Sequence, residues 1–476
     1  MNNRFPRKLS FAALTLIVIL TSCGADDDST NVGKTGEGGY PGPEDLTLPY
    51  FRVTTDETIR DEPKVIAEVE VYTNQELDYS GTIGIEFRGS TSQRIFDKKS
   101  YGLETWDASG NDISVPLLGW GSEEDWILYG PYSDKTLLRN VLLYELSNDL
   151  GNYAVRTTFA ELELNGADQG AYVFMEKIKR DNNRLDLEQL DRSMTSADLI
   201  SGGYILKIDK TTGDTNNPDW PGDFAYTAEL GFRSSYGVDE NELDYEPYGT
   251  KQGEETYFLY EYPRAELINE EQKTYIQEYI HDFETALIEE TFEGSERAYE
   301  DYIDVTSFVD FFLLNELSGN PDAYRLSTFL HKDRGQKLKM GPVWDINLGF
   351  GNDGRSATNV WIYQYNDSYP EDAWLVPFWW EKLLDDPLFR AAVKERWQAL
   401  RVNILATHTV LAMIDSYVAT LESNGMIDRN FSRWPVLGVA LPFNSYVGAS
   451  YEGEITYVKN WCESRFDWMD QEISSW

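Results

Sequence analysis

Along residues 64–73, "KVIAEVEVYT", Val65, Ala67, Val69 and Val71 alternate with polar neighbours. A period of two sends successive side chains to opposite faces, so this run is predicted as a half-buried strand. The segments "GTIGIEFRGS" (81–90) and "KKSYGLETW" (98–106) carry the same signature on either side of a polar turn, and "NGADQGAYVFMEKI" (165–178) adds a hairpin with Asn165-Gly166 at its tip. One helix interrupts them: in "KTLLRNVLLYELSNDL" (135–150), Leu137, Leu138, Val141, Leu142 and Leu146 share a face, with Asp134 placed to cap it.

Beyond residue 262 the period changes. Asn269 and Gln272 form a capping-box pattern ahead of a helix whose Tyr275, Ile276, Tyr279, Ile280, Phe283 and Leu287 recur at helical spacing. "VTSFVDFFLLNEL" (305–317) is apolar nearly all round, as a central buried helix is, and further helical pattern runs over 388–421 and 458–473. No internal repeat is visible. The pattern predicts an α+β fold, with a sheet-rich lobe over about 45–262 and a helical lobe over about 263–476.

The first 44 residues belong to neither lobe. Arg4, Arg7 and Lys8 precede "FAALTLIVIL", an apolar run too short to span a bilayer, so residues 1–22 read as a secretory signal. The run ends in "LTSC", which resembles a lipoprotein signal cut before Cys23, whose thiol and new amine would carry acyl chains. Residues 23–44 have almost nothing to bury and read as a tether, and Asp26 to Asp28 resemble the acidic tags of surface lipoproteins in Bacteroidetes. The expected location is therefore a bacterial membrane, most simply the outer one facing periplasm or cell surface, with the lipid as sole anchor. The other cysteine, Cys462, has no internal disulfide partner once Cys23 is acylated, so stability must come from the core. The net charge of −41, made more negative by loss of residues 1–22, argues against nucleic acid or anionic lipid as partners and leaves room for cations or basic proteins.

Candidate chemistry begins at "MGPVWDINLGFGND" (340–353), where Asp345 follows an apolar run and the chain leaves through Gly-Phe-Gly. Asp345 reads either as a turn residue or as a metal-binding carboxylate. Reading backwards, the strand 337–344 is joined by a turn at 333–336 to the strand "STFLHK" (327–332), and the loop "GNPDAYRLS" (319–327) with Asp322 lies between that hairpin and the apolar helix. Helix, loop with Asp, hairpin, Asp, Gly-rich exit is the order of parts in a protein-kinase catalytic core. Phosphoryl transfer needs carboxylates for the cation and cations for the phosphates. Arg88 and Lys99 are the candidate phosphate contacts, each with a plain surface role as the alternative. With only His281, His331 and His408 and no HExxH, a zinc hydrolase is not indicated.

The segments "FRGSTSQRIFDKKSYGLE", "EDWILYGPYSDKTLLRN", "GAYVFMEKIKRDNNRLDL", "SGGYILKIDK", "FFLLNELSGNPDAYRLSTFLHKD" and "GPVWDINLGFGN", in this order, together with "YVKNWCESRFDWMD", resemble the signature blocks of the CotH (spore coat protein H) kinase family. The resemblance covers residues 45–476. It implies an atypical protein-kinase-like, two-lobed fold that moves phosphate from ATP, with Mg or Mn, to Ser or Thr of a partner protein. By position, Asp322 resembles the catalytic-loop acid and Asp345 the metal-binding acid, with Ser327 in the second metal-ligand position. Lys99 and Arg88 would hold phosphate, and Glu145 would pair with the lysine. Glu176 fits either a structural or a nucleotide-contacting role. Two departures stand out: Ser327 occurs where kinase-like loops carry Asn, and Asn347 where many relatives carry a second acid. Both reduce metal-binding capacity. A surface-anchored scaffold that binds proteins or glycans without catalysis is therefore the alternative, and a glycosidase using paired carboxylates and the 14 Trp and 30 Tyr is a third class.

Overall fold

A closed barrel accounts for the first strands of the chain. The computed structural model describes residues 46–211, 226–248 and 253–476, so the signal-like segment, Cys23 and the tether lie outside the described residues. The barrel strands are β1 (Tyr50–Thr54), β2 (Val65–Thr73), β3 (Glu76–Arg88), β4 (Ser100–Trp106), β5 (Asp125–Tyr129), β6 (Thr157–Leu164) and β7 (Ala167–Glu176), paired in the order β1-β2-β3-β4-β5-β7-β6. Closure comes from β1 running parallel to β6, with Tyr50 opposite Glu161; the remaining pairs are antiparallel. Val65, Ala67, Val69 and Val71 point inward, together with Phe51, Ile83, Ile85, Leu103 and Leu162. The period-two reading of β2 is met, and the β6–β7 hairpin turns at Asn165 and Gly166, both with positive φ.

β5 and β7 are buried on both faces, which is why they read as unbroken apolar runs. Trp126, Leu128, Tyr172 and Phe174 fill the barrel, while Ile127, Val173 and Met175 face outward into a second, larger core. The helix Arg139–Asp149 packs into that core through Leu142 and Leu146. It starts later than its apolar pattern suggested, because Leu137 takes a left-handed φ of 67°. Asp134 instead holds the preceding turn, accepting from the N–H groups of Thr136 (3.1 Å) and Arg139 (2.9 Å) and pairing with the buried Arg139 guanidinium at 2.5 Å.

A second sheet crosses the expected lobe boundary. β8 (Tyr204–Ile208), β9 (Gly231–Gly237), β10 (Glu255–Tyr262), β11 (Thr328–Lys332) and β12 (Leu338–Met340) pair antiparallel in the order β12-β11-β8-β10-β9. The β11–β12 hairpin expected from the sequence is present, but it joins strands from before residue 262, so no cut at 262/263 separates a sheet part from a helical part. Residues 41–476 behave as one compact unit.

The helix Val305–Ser318 is buried from Ser307 to Ser318, capped by Asp304 on the Ser307 N–H at 3.0 Å and ended by Gly319 at φ 56°. Phe308, Phe311 and Phe312 pack on Trp380, and the buried indoles Trp126, Trp379, Trp380 and Trp397 place much of the aromatic content in cores. The capping box is formed as read: Asn269 accepts from the Gln272 N–H at 2.8 Å, and the Gln272 side chain accepts from the Asn269 N–H at 3.1 Å, opening the helix Glu270–Ile288.

Candidate active site

Four chain segments meet in a cleft of roughly 520 Å³ between the barrel and the second sheet: Arg88–Ser92 after β3, Lys207–Lys210 at the end of β8, Asp322–Ser327, and Trp344–Leu348. Arg88 and Lys207 sit at the ends of their strands, and Asp322, Ser327 and Asp345 in the loops that follow regular elements, so a rigid scaffold aims them all.

Asp345 lies five residues past the end of β12, and its backbone is left-handed at φ 59°. For a residue with a Cβ that conformation costs energy and needs to be held. Asn140 and Tyr144, one turn apart on the helix Arg139–Asp149, hold it: the Tyr144 hydroxyl accepts from the Asp345 N–H at 3.1 Å, and Asn140 Oδ1 from the Ile346 N–H at 2.8 Å. Trp344 stacks on the Tyr144 ring at 5.9 Å, which explains the Trp-Asp order. The chain thus fixes the backbone and leaves the carboxylate alone: among the described residues no group donates a hydrogen bond to it. Burial, then the charges of Asp322 and Asp209, push its pKa up to about 6, against the opposing pull of Lys210 and Lys207. A bare turn residue would instead spend its carboxylate on nearby N–H groups.

Asp322 is held differently. Arg325 Nη2 donates to it at 2.7 Å, Arg325 Nη1 lies 3.4 Å from Asp372, and the same guanidinium sits 4.1 Å over the Tyr365 ring. Arg355 stands 3.8 Å away while forking onto Asp353 at 3.0 and 2.9 Å. Charge-assisted bonds of this kind fix the direction of a carboxylate. Ser327, also left-handed at φ 48°, donates through Oγ to Asp209 Oδ2 at 3.5 Å, and Asn347 lines the same cleft.

The cleft corrects part of the cation assignment. Arg88 lines it, but Lys99 does not; the Lys99 ammonium is tied to the carbonyls of Gln93 at 2.6 Å and Phe96 at 2.5 Å. Glu145 is exposed on the outer face of its helix and forms no pair with Lys99. The lysines that do face the acids are Lys207 and Lys210, with Lys207 Nζ 2.8 Å from Asp209 Oδ2. Sequence reasoning missed Lys207 and Asp209. The signal was there in "YILKIDK": an Asp closing an apolar strand, the same feature that drew attention to Asp345. Glu176 proves structural, fully buried and paired with Arg156 at 2.5 to 2.8 Å.

Several features fit a phosphate-bearing ligand with a divalent cation. The Ser90 Oγ is buried in the cleft wall without a partner. Gly89 has φ +99°, and a Cβ there would come within 2.2 Å of Ser92 Oγ, so only glycine lets this loop fold close. The Lys207 ammonium already occupies a cation position on Asp209. The tightest acid cluster among the described residues lies elsewhere, at Glu123, Glu124 and Asp125, and is filled by the Lys179 ammonium, 2.8 Å from Glu123 and 3.0 Å from Asp125.

The family model described as "CotH kinase protein" matches residues 85–469, a range that contains all four cleft segments. The "Inner spore coat protein H" of Bacillus subtilis (strain 168) is 26% identical over 162 residues, 34% of this chain and 39% of that relative, so the match spans about two fifths of the relative's length. With most of its length matched by the family model, the chain belongs to the CotH kinase family.

Proposed function

We propose that the cleft binds ATP with Mg or Mn and transfers its terminal phosphoryl group to a Ser or Thr hydroxyl of a partner protein, the barrel and the helix-bearing part serving as the two lobes of a kinase-like arrangement. The observation that carries this reading is the facing of Asp209, Asp322 and Asp345 against Arg88, Lys207 and Lys210 in one cleft. Asp345, with a carboxylate no protein donor satisfies, would hold the cation. A bound divalent cation supplies neutralisation of phosphate charge. Arg88, Lys207 and the Gly89–Ser92 loop bind and orient phosphate oxygens, replacing the roles first read onto Lys99 and Glu145. Asp322, its direction fixed by Arg325, accepts the hydrogen bond of the acceptor hydroxyl and takes its proton as the phosphoryl group leaves ATP. The acidic chain favours an acceptor of basic character, and acylation at Cys23 would keep the reaction at a bacterial membrane.

Two observations favour a non-catalytic scaffold: the Asp322 carboxylate is engaged by Arg325, and Ser327 and Asn347 offer only neutral oxygens. Incubation with labelled ATP and Mn separates the two. Label on the protein or on a basic acceptor is expected. Asp345→Asn should lose Mn-dependent nucleotide binding, while Asp322→Asn should keep binding and lose about 10² to 10⁴ in transfer, the usual contribution of a positioned base. Binding without transfer supports the scaffold; neither binding nor transfer overturns the proposal.

A further inference from the structure

We infer that Asn140 and Tyr144 bind the nucleotide directly: the Asn140 amide N–H and the Tyr144 hydroxyl proton form a pair of neutral donors for a phosphate oxygen beside Asp345. The inference rests on the proposed nucleotide reading and adds two contacts to that cleft, both from the helix Arg139–Asp149.

Helical spacing places the pair. Residues four apart share a face of a helix, and here that face meets the loop that begins at Asp345. Asn140 Oδ1 accepts from the Ile346 N–H at 2.8 Å, and the Tyr144 oxygen accepts from the Asp345 N–H at 3.1 Å. These bonds orient both groups. An amide whose oxygen is spent on the loop turns its Nδ2 to the other side, and a phenol oxygen that accepts one hydrogen bond still has a proton to donate. Both residues line the cleft, Asn140 at 4% exposure and Tyr144 at 1%, and among the described residues neither donor has an acceptor. Buried donors without a partner cost free energy, which an acceptor brought in by a ligand recovers.

Neutral donors suit this position. An ammonium or guanidinium here would pair with the bare Asp345 carboxylate, as Lys207 pairs with Asp209 at 2.8 Å, and would keep a divalent cation off it. An amide and a phenol leave the carboxylate to the cation, yet their bonds to an anionic oxygen are stronger than bonds between neutral groups. The ligand atoms next to Asp345 are those its cation would hold, and in a nucleotide these are phosphate oxygens. The donors are fixed before the ligand arrives, because the loop bonds and the stack of Trp344 on the Tyr144 ring already set their direction.

The test measures binding of Mn alone and of Mn with a non-hydrolysable ATP analogue to the full-length chain at neutral pH. Asn140→Asp keeps an oxygen for the Ile346 N–H and loses the donor. It should weaken analogue binding about tenfold or more while holding Mn alone at least as tightly. Tyr144→Phe keeps the ring on Trp344 and should weaken the analogue about tenfold, more than it weakens Mn alone. Replacing Tyr144 by 3-fluorotyrosine, a stronger donor and a weaker acceptor, should tighten analogue binding. Analogue binding unchanged in both variants, losses equal for Mn and analogue, or weaker binding with fluorotyrosine would leave the two residues as supports of the Asp345 loop and overturn the inference with the nucleotide reading intact. Unmodified protein that binds neither Mn nor the analogue overturns both. Should either substitution fail to fold, the fluorotyrosine protein, altered by a single ring atom, still decides.

Discussion

Asp345→Asn should make the ligand-free protein more stable while removing its response to metal. In the folded chain the Asp345 carboxyl titrates near 6 rather than at its ordinary 3.8, because burial and the charges of Asp322 and Asp209 disfavour the anion. Between these two values the folded state holds a proton that the unfolded state has released, so stability falls as pH rises through the window and the deficit is complete above about 6. About two pKa units correspond to about 3 kcal/mol, with about half of that expressed at pH 5. Asparagine carries no charge, and since no donor serves the carboxylate, the substitution orphans no existing partner. For a unit spanning 41–476, at roughly 2 cal/mol/K of unfolding entropy per residue, ~3 kcal/mol is about 3 °C in Tm. Thermal unfolding of both proteins at pH 5 and pH 8 measures it. The variant should gain about 3 °C at pH 8, distinctly less at pH 5, and nothing further from Mn. A variant no more stable than the parent at pH 8, or an advantage that does not grow with pH, would refute the view of Asp345 as a carboxylate held at energetic cost for a cation.

The two lysines should separate cleanly. Lys99→Ala should leave nucleotide affinity within about twofold, since its ammonium serves the carbonyls of Gln93 and Phe96, whereas Lys207→Ala should weaken it about tenfold or more, as loss of one charge-assisted phosphate contact does; equilibrium binding of a fluorescent ATP analogue distinguishes them. Cys23→Ala should leave the precursor unacylated and move the protein out of the membrane fraction, because several acyl chains are what make such an anchor stable; membrane association unchanged on fractionation would dismiss the lipoprotein reading.

Part of the candidate site was legible in the sequence. Asp322 and Asp345 stand out in the sequence because an acid after an apolar run or beside a glycine-rich exit has to be explained, and the strand β2, the capping box at Asn269 and the buried helix Val305–Ser318 follow from spacing over a few residues. Local periodicity records which face of an element is buried and nothing about what it is buried against. The barrel closes because β1 lies beside β6, more than a hundred residues on, and the β11–β12 hairpin joins a sheet begun before the apparent lobe boundary. The same long-range pairing put Lys207, and not Lys99, among the acids of the cleft. Both are lysines in or next to strand sequence, but the helix Thr91–Ile95 and the residue after it turn carbonyls onto Lys99, while the register of β8 against β11 turns Lys207 toward the acids. Asp209 and Ser327 became neighbours by that register alone: side-chain type is written along the chain, but which side chains share a cleft is settled only when distant strands pair.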